Sequence, residues 1–315
     1  VRARIVISEF MDERAVAQLA AVHDVLYDPL LVDDTSRLLG EATRADALIV
    51  RNRTQVRGAL LDALGRCKAV GRLGVGLDNI DVATCEARGI QVIPASGANA
   101  RSVAEYVLTS TLLLLRGSYA STPAVAAGQW PRTALSEGRE AAGQTLGIIG
   151  FGAIGQTTAR LAQALGMQVM AFDALLDAGA PVFAQTGVSF APLDELVARA
   201  DVVSLHVPLV DSTRGLFGAT RIAAMKPGAI LINTSRGHIV DLPAVATALR
   251  EGRLGGAAID VFDAEPLQAS AFLQDCPRLL LTPHISGLSV QANERVSFMV
   301  AEKILESLKS CPICQ

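Results

Sequence analysis

The sequence predicts an α/β protein of two domains, each built on a parallel sheet with helices on both faces. Three observations carry that prediction. Short apolar runs of strand length alternate with amphipathic runs of helix length along most of the chain, the signature of repeated βαβ units. Half the residues are hydrophobic but only 4% are aromatic, so the cores must be built from Ala, Val, Leu and Ile, which suits strands buried on both faces. A length of 315 residues exceeds the usual size of one domain.

Residues 4–7, 25–27, 47–50, 69–73 and 91–93 read as strands. Residues 12–22, 56–64 and 82–88 read as helices between them, the last closed by Gly89 as a C-cap. A long helix is expected over 100–116. A segment containing Gly, Ser and Pro follows and holds the single tryptophan, Trp130. A second alternating series runs from Thr145 to about Leu281, and a last helix is expected over 290–308. No internal repeat or low-complexity tract is visible.

Composition narrows the function. The formal net charge is −3 and no segment concentrates Lys or Arg, which argues against nucleic-acid binding. The most apolar stretch, 106–115, is bracketed by Glu105 and Arg116 and falls well short of the ~20 residues that span a bilayer. The first apolar run, 5–7, is too short for a signal peptide. Five cysteines, an odd number, suggest reduced thiols in a cytoplasmic protein. Cys311 and Cys314 form a C-x-x-C without a second ligand pair, so an inert tail is expected there and no metal.

The most informative local motif is Gly150-Phe151-Gly152-Ala153-Ile154-Gly155, a full G-x-G-x-x-G. Alone it would be weak in a chain with 27 glycines. Context strengthens it, because residues 145–149 read as a strand entering it and 154–165 as a helix leaving it. The first glycine makes the tight turn, the second lets backbone approach a pyrophosphate, and the third lets helix pack on strand. The free N–H groups and positive end of that helix attract phosphate. A strand over 168–172 then ends at Asp173, 18 residues after Gly155, where an acid that binds ribose hydroxyls should fall. That carboxylate repels a 2′-phosphate, so NAD is expected rather than NADP. These features specify a Rossmann domain.

Four histidines are available as acid/base groups: His23, His206, His238 and His284. His23 reads as solvated on a surface helix and His238 as exposed on a loop. His206 lies at a strand end, where it would line the cofactor crevice through shape more than chemistry. His284, in Thr282-Pro283-His284-Ile285-Ser286-Gly287, is the strongest candidate, because open α/β sheets bind ligands at the carboxyl ends of their strands. Two further strand ends run into Arg236 and into the acids Asp260, Asp263 and Glu265. An arginine, a carboxylate and a histidine are what reduction of a 2-keto acid requires. Guanidinium grips the carboxylate, imidazolium donates a proton to the keto oxygen, and a buried carboxylate keeps the imidazole protonated.

At these positions the chain resembles the D-isomer-specific 2-hydroxyacid dehydrogenase family. The resemblance runs through Arg72 to Asp81, Ser102-Val103-Ala104-Glu105, Gly150 to Gly155, Met225 to Gly228, Asn233 to Gly237, Asp260 to Pro266 and Thr282 to Gly287. It implies a discontinuous, flavodoxin-like substrate domain over 1–98 and 286–315, and a Rossmann NAD domain over 99–285. It implies a homodimer built on the 100–116 helix and the segment around Trp130. Carried over by motif, Arg236 binds the substrate carboxylate, Glu265 supports the histidine, and His284 is the acid/base. Asp260 meets the nicotinamide amide, and Thr234 and Ser235 border its pocket. Val103, His206, Pro208 and Thr213 join Gly150, Gly152, Ala153, Ile154, Gly155 and Asp173 on the cofactor. The backbone of Gly74, Val75 and Gly76 faces the substrate carboxylate. The commonest family form after the histidine is Ile-Gly-Gly, whereas this chain has Ile285-Ser286-Gly287. Formate dehydrogenases of the superfamily carry glutamine where this chain has Glu265, which argues against that activity.

Arg51-Asn52-Arg53 admits two readings, a pair of solvated arginines or a cationic pocket for a second anionic group on the substrate. The segment resembles the corresponding loop of D-3-phosphoglycerate enzymes and of sequences assigned as (S)-sulfolactate dehydrogenases. An alternative function is an NAD(H)-sensing regulator like the C-terminal-binding-protein corepressors. Those share the Arg-Glu-His set but carry long added tails, which are not seen here.

Overall fold

A computed structural model describes residues 2–117 and 121–309; Cys311 and Cys314 lie outside them. The chain forms two compact units, Val1–Asn99 with Leu288–Gln315, and Ala100–Gly287.

The first unit holds strands β1 (Arg4–Ile7), β2 (Asp24–Tyr27), β3 (Ala47–Val50), β4 (Ala69–Arg72) and β5 (Gln91–Pro94). They pair in the all-parallel order β2-β1-β3-β4-β5, the flavodoxin-like arrangement. Strand β3 is buried along its whole length, as expected of a central parallel strand covered on both faces. All five strands read from sequence are present to within a residue.

The helices differ more. The 12–22 helix contracts to Glu13–Ala20, because Asp12 caps it by accepting from Arg14 N–H at 3.0 Å. The 56–64 helix contracts to Gly58–Ala63, because Val56 bridges to Ile80 as extended backbone. A short 3-10 turn, Leu31–Asp33, and a helix, Thr35–Ala42, stand where the sequence reading assigned nothing. Asp34 caps that helix, and its buried face is only Leu38 and Ala42. His23 is not on a helix and not simply solvated. It lies in the turn before β2, where Nδ1 accepts from Ala3 N–H at 3.3 Å and burial lowers its pKa.

The helix Val290–Lys309 returns to this unit and packs on β4 and β5 through Val296, Val300, Ala301 and Ile304. The approach is close enough that a Cβ on Gly71 of β4 would stand 2.6 Å from Val300 Cγ1.

The second unit holds β6 (Thr145–Ile149), β7 (Gln168–Phe172), β8 (Ser189–Phe190), β9 (Val202–Leu205), β10 (Ala229–Asn233), β11 (Leu254–Ile259) and β12 (Leu279–Leu281). Its parallel order is β12-β11-β10-β9-β6-β7-β8. Read from β8 and counting β6 as the first strand, this is the dinucleotide-binding order 3-2-1-4-5-6 with one strand added. The order reverses between β6 and β9, the switch point outside whose carboxyl ends open parallel sheets bind ligands. The helices Ala100–Arg116 and Ala153–Ala164 pack against each other over a core that includes Val103, Val107, Leu146 and Ile148. Among the described residues no helix is long and apolar enough to cross a membrane.

The contact at Gly71 sets a test. Gly71→Leu overpacks the interface between β4 and the last helix and should destabilise the protein by about 1–3 kcal/mol. A thermal unfolding midpoint equal to wild type would show that the helix yields freely there.

Candidate active site

In the second unit, the Gly-rich turn follows β6 directly. Gly150 has φ +94°, and a Cβ there would stand 2.5 Å from the carbonyl oxygen of His206 at the end of β9. A Cβ on Gly155 would stand 2.3 Å from Gly150 O. Gly152 is different, since its Cβ would meet nothing within 4 Å. Two glycines thus exist for packing and the middle one for an open cradle. The helix Ala153–Ala164 starts at that cradle with Gly152 as an N-cap that offers no side-chain acceptor. Its first N–H groups are therefore available to a pyrophosphate. Asp173 ends β7 beside the turn, its Oδ2 accepting from Phe151 N–H at 2.7 Å and its Oδ1 from Leu175 N–H at 2.9 Å. Each oxygen keeps lone-pair capacity for a ribose hydroxyl. These residues fit a bound NAD.

The other residues expected near the cofactor differ in how they are held. His206 Nε2 bonds Ser204 Oγ at 2.9 Å while Nδ1 is shielded from solvent, and burial pushes the imidazole down to about 4. It is neutral at pH 7, consistent with a role through shape. Thr213 Oγ donates to Pro208 O at 2.6 Å and accepts from Val210 N–H at 2.9 Å, closing the turn after β9. Ser235 Oγ donates to Leu205 O at 2.7 Å, so it ties β10 to β9, whereas Thr234 Oγ is buried without a partner and can serve a bound group. Val103 lies in the hydrophobic core, 4% exposed.

Arg236 leaves β10 through a braced turn. Asn233 Oδ1 accepts from Ser235 N–H at 3.0 Å, and Asn233 Nδ2 donates to Arg236 O at 2.9 Å. A Cβ on Gly237 would stand 2.0 Å from Phe262 carbonyl carbon, so only glycine lets this turn lie against the turn after β11. From that second turn Glu265 reaches His284, with Oε2 2.7 Å from Nδ1, while its Oε1 accepts from Phe262 N–H at 3.0 Å. Nδ1 therefore carries the proton shared with Glu265, and Nε2 is left for chemistry. The Glu265 side chain is 34% exposed and that of His284 37%, which corrects the expectation of a buried carboxylate. His238 is exposed, as expected, with Nδ1 3.6 Å from Asp263.

His284 sits at φ +56°, a left-handed backbone uncommon outside glycine. Asp260, fully buried at the end of β11, holds it there. Its carbonyl accepts from His284 N–H at 2.8 Å, and its carboxylate accepts from Thr282 Oγ, Ile285 N and Ser286 N. The expected partner of Asp260 was the nicotinamide amide. Every hydrogen bond its carboxylate makes here goes to the histidine loop, a bracing role that the motif Thr282 to Gly287 did not disclose in sequence.

In the first unit, Gly74 has φ +158° and the Arg72 guanidinium lies against it, 1.6 Å from where a Cβ would stand. Val75 is 38% exposed beside it, followed by Gly76. The Arg51–Arg53 segment is more engaged than expected. The buried Glu9 carboxylate accepts from Arg51, Arg53 and Thr54 N–H groups at 2.9, 3.1 and 3.0 Å. Asn79 Nδ2 donates to Arg51 O and Thr54 O, joining this loop to the 74–79 segment. Arg51 Nη2 donates to Asn293 Oδ1 at 2.6 Å and its guanidinium lies over the Phe10 ring. Arg53 pairs with Asp33.

A Rossmann sheet, a pyrophosphate cradle and a His–Glu pair at the same sheet edge define a dinucleotide-dependent oxidoreductase. Comparison with known proteins specifies it further. Residues 108–286 match the family model for D-isomer specific 2-hydroxyacid dehydrogenase, NAD binding domain. The chain is 51% identical over 304 residues to the (S)-sulfolactate dehydrogenase of Chromohalobacter salexigens, covering 96% of this chain and 98% of that protein. It is 38% identical over 296 residues to the D-3-phosphoglycerate dehydrogenase of Mycobacterium leprae, covering 93% of this chain but only 55% of that one. The crystal structure of the TT0316 protein from Thermus thermophilus superposes with a TM-score of 0.84 at 32% identity, covering 97% of each chain. The chain belongs to the D-isomer specific 2-hydroxyacid dehydrogenase family and is an NAD-dependent oxidoreductase.

The position of Asp173 yields a cofactor test. Wild type should bind NADH at least about tenfold more tightly than NADPH, roughly 1.4 kcal/mol, and Asp173→Ala should shrink that ratio. Equal titration-calorimetry affinities in wild type would remove Asp173 from the ribose.

Proposed function

We propose that this protein interconverts a D-type 2-hydroxy acid and its 2-keto acid, with Arg236 binding the substrate carboxylate and His284 as acid/base supported by Glu265. The observation that carries the reading is the 2.7 Å contact between His284 Nδ1 and Glu265 Oε2, which commits one ring nitrogen and frees the other. Bound NADH supplies the hydride for reduction, and NAD accepts it in the reverse direction. During reduction, Nε2 gives its proton to the carbonyl oxygen as hydride arrives at carbon. The ring then retains the Nδ1 proton on Glu265. In oxidation Nε2 takes the hydroxyl proton, and Glu265 offsets the positive charge that forms on the ring. Arg236 supplies a planar fork matched to a carboxylate, which orients the 2-keto acid.

The substrate class follows from two supports. Full-length similarity to a sulfolactate dehydrogenase favours a three-carbon acid with a second anionic group. The Arg51–Arg53 loop supplies cations of the matching sign, Arg51 being held in place by Asn293 and Phe10 while Arg53 must exchange Asp33 for a ligand. 3-Sulfopyruvate is therefore the preferred substrate over pyruvate, with 3-phosphohydroxypyruvate as the nearest competitor in charge. Association of two copies belongs to the same reading, supported by exposed Leu112, Val125 and Trp130 on neighbouring segments of the second unit.

The test is NADH oxidation by the purified protein with 3-sulfopyruvate, 3-phosphohydroxypyruvate, hydroxypyruvate, glyoxylate and pyruvate. His284→Ala should lower kcat by about 10²- to 10⁴-fold with NADH binding retained. Arg236→Ala should act mainly through KM for the keto acid. Near-wild-type kcat in His284→Ala would end the mechanism. Arg51→Ala should raise KM for 3-sulfopyruvate at least about tenfold more than for pyruvate, since it removes a charge-assisted bond of about 1.5–3 kcal/mol. Equal changes for both substrates would leave the arginine without a role in recognition.

A further inference from the structure

The loop that carries His284 is gripped at both ends by one helix. Ser102 and Tyr106 stand one turn apart on Ala100–Arg116. Ser102 Oγ donates to Ser286 O at 3.0 Å, and Tyr106 Oη lies 2.6 Å from Thr282 Oγ. Thr282 Oγ in turn lies 2.6 Å from Asp260 Oδ1. The direction of this chain is determined. A carboxylate only accepts, so the Thr282 hydroxyl proton points to Asp260, and the Tyr106 hydroxyl must donate to Thr282. Burial raises the Tyr106 pKa, which keeps the phenol a donor through the neutral range.

We propose that Tyr106 and Thr282 are positioning residues for His284, acting through the Tyr106–Thr282–Asp260 hydrogen-bond chain that holds the histidine loop in its left-handed turn. The proposal rests on His284 being the acid/base. Asp260 binds the residues on both sides of His284, since Ile285 N–H shares Oδ1 with the Thr282 hydroxyl at 2.8 Å and Ser286 N–H takes Oδ2 at 2.8 Å. If Thr282 loses its hydroxyl, Oδ1 loses one of its two donors and Tyr106 loses its acceptor. The carboxylate is then free to rotate, and the backbone of Ile285 follows. His284 stays in the protein with its ring, but Nε2 is no longer fixed against the reacting oxygen. Misplacement of a catalytic group by about 1 Å costs on the order of 10²-fold in rate.

The experiment compares Thr282→Val, Thr282→Ser and Tyr106→Phe in the full chain. Two measurements are made on each: kcat, KM and NADH affinity for 3-sulfopyruvate reduction, and the rate of diethyl pyrocarbonate modification at His284 followed by mass spectrometry. Thr282→Val should lose about 10- to 100-fold in kcat with NADH affinity within about twofold of wild type. Tyr106→Phe should lose less, about three- to tenfold. Thr282→Ser, which keeps the hydroxyl, should stay near wild type. Modification of His284 should quicken in the first two variants and not in the third. Wild-type kcat and modification rate in both Thr282→Val and Tyr106→Phe would overturn the proposal, as would a Thr282→Ser as impaired as Thr282→Val. Should Thr282→Val fail to fold, Tyr106→Phe, which keeps the ring, decides by the same two readouts. A wild type that reduces none of the 2-keto acids would overturn the proposed reaction instead, and the modification rates would still judge the chain.

Discussion

Backbone turns at the carboxyl edge of the second sheet touch one another with no side chain between them, and the site depends on that constraint. The turn after β6 rests on the end of β9 at Gly150, the helix after the turn rests on it at Gly155, and the turn after β10 rests on that after β11 at Gly237. Parallel strands set about 4.8 Å apart deliver their loops side by side, but an ordinary residue would hold those loops apart by the width of a Cβ. Removing that atom at three places lets phosphate donors, an arginine and a carboxylate sit on adjacent strand ends. The chemistry is therefore a consequence of where the chain omits side chains as much as of where it places them.

In the proposed mechanism the polar groups around the histidine divide between holding and reacting. Asp260 is fully buried and spends its acceptors on the loop, while Glu265 is about a third exposed and keeps one oxygen on the imidazole. Both are carboxylates within six residues of each other, and burial separates their tasks. An enclosed anion surrounded by N–H and O–H donors is rigid, because each donor would be left unsatisfied if it moved. An anion at the surface can follow the charge on its partner as a proton comes and goes.

Much of this was legible in the sequence. The buried strands are short β-branched and aliphatic runs bounded by turns, so their period and length are explicit, and β1, β3, β6 and β7 match the expected limits. The helix Thr35–Ala42 was not legible, since it buries only two residues and its amphipathic pattern is too brief to stand out from loop. Arg236 and His284 stood out because each follows a strand end, whereas Glu265 was one of several acids after β11 until the family resemblance singled it out, and the structure brings it against His284. The bracing by Tyr106 was invisible for the opposite reason: it stands 176 positions from Thr282, mid-helix, where a tyrosine ordinarily reads as core. The pairing of Arg53 with Asp33 was equally hidden, because it depends on the 3-10 turn that the sequence pattern did not reveal.

In the proposed reading, where the Arg51–Thr54 loop receives the second anionic group of the substrate, the Glu9 carboxylate shapes how that ligand enters. Three N–H groups aimed at one point would form a nest that captures any small anion. Glu9 occupies that nest from within the protein, and Asn79 takes two of the loop's carbonyls, so the loop has its final shape before any ligand arrives. An incoming anion then meets side-chain charge alone and has no backbone left to order. The entropic penalty of arranging a recognition loop, which otherwise subtracts from affinity, has been met during folding.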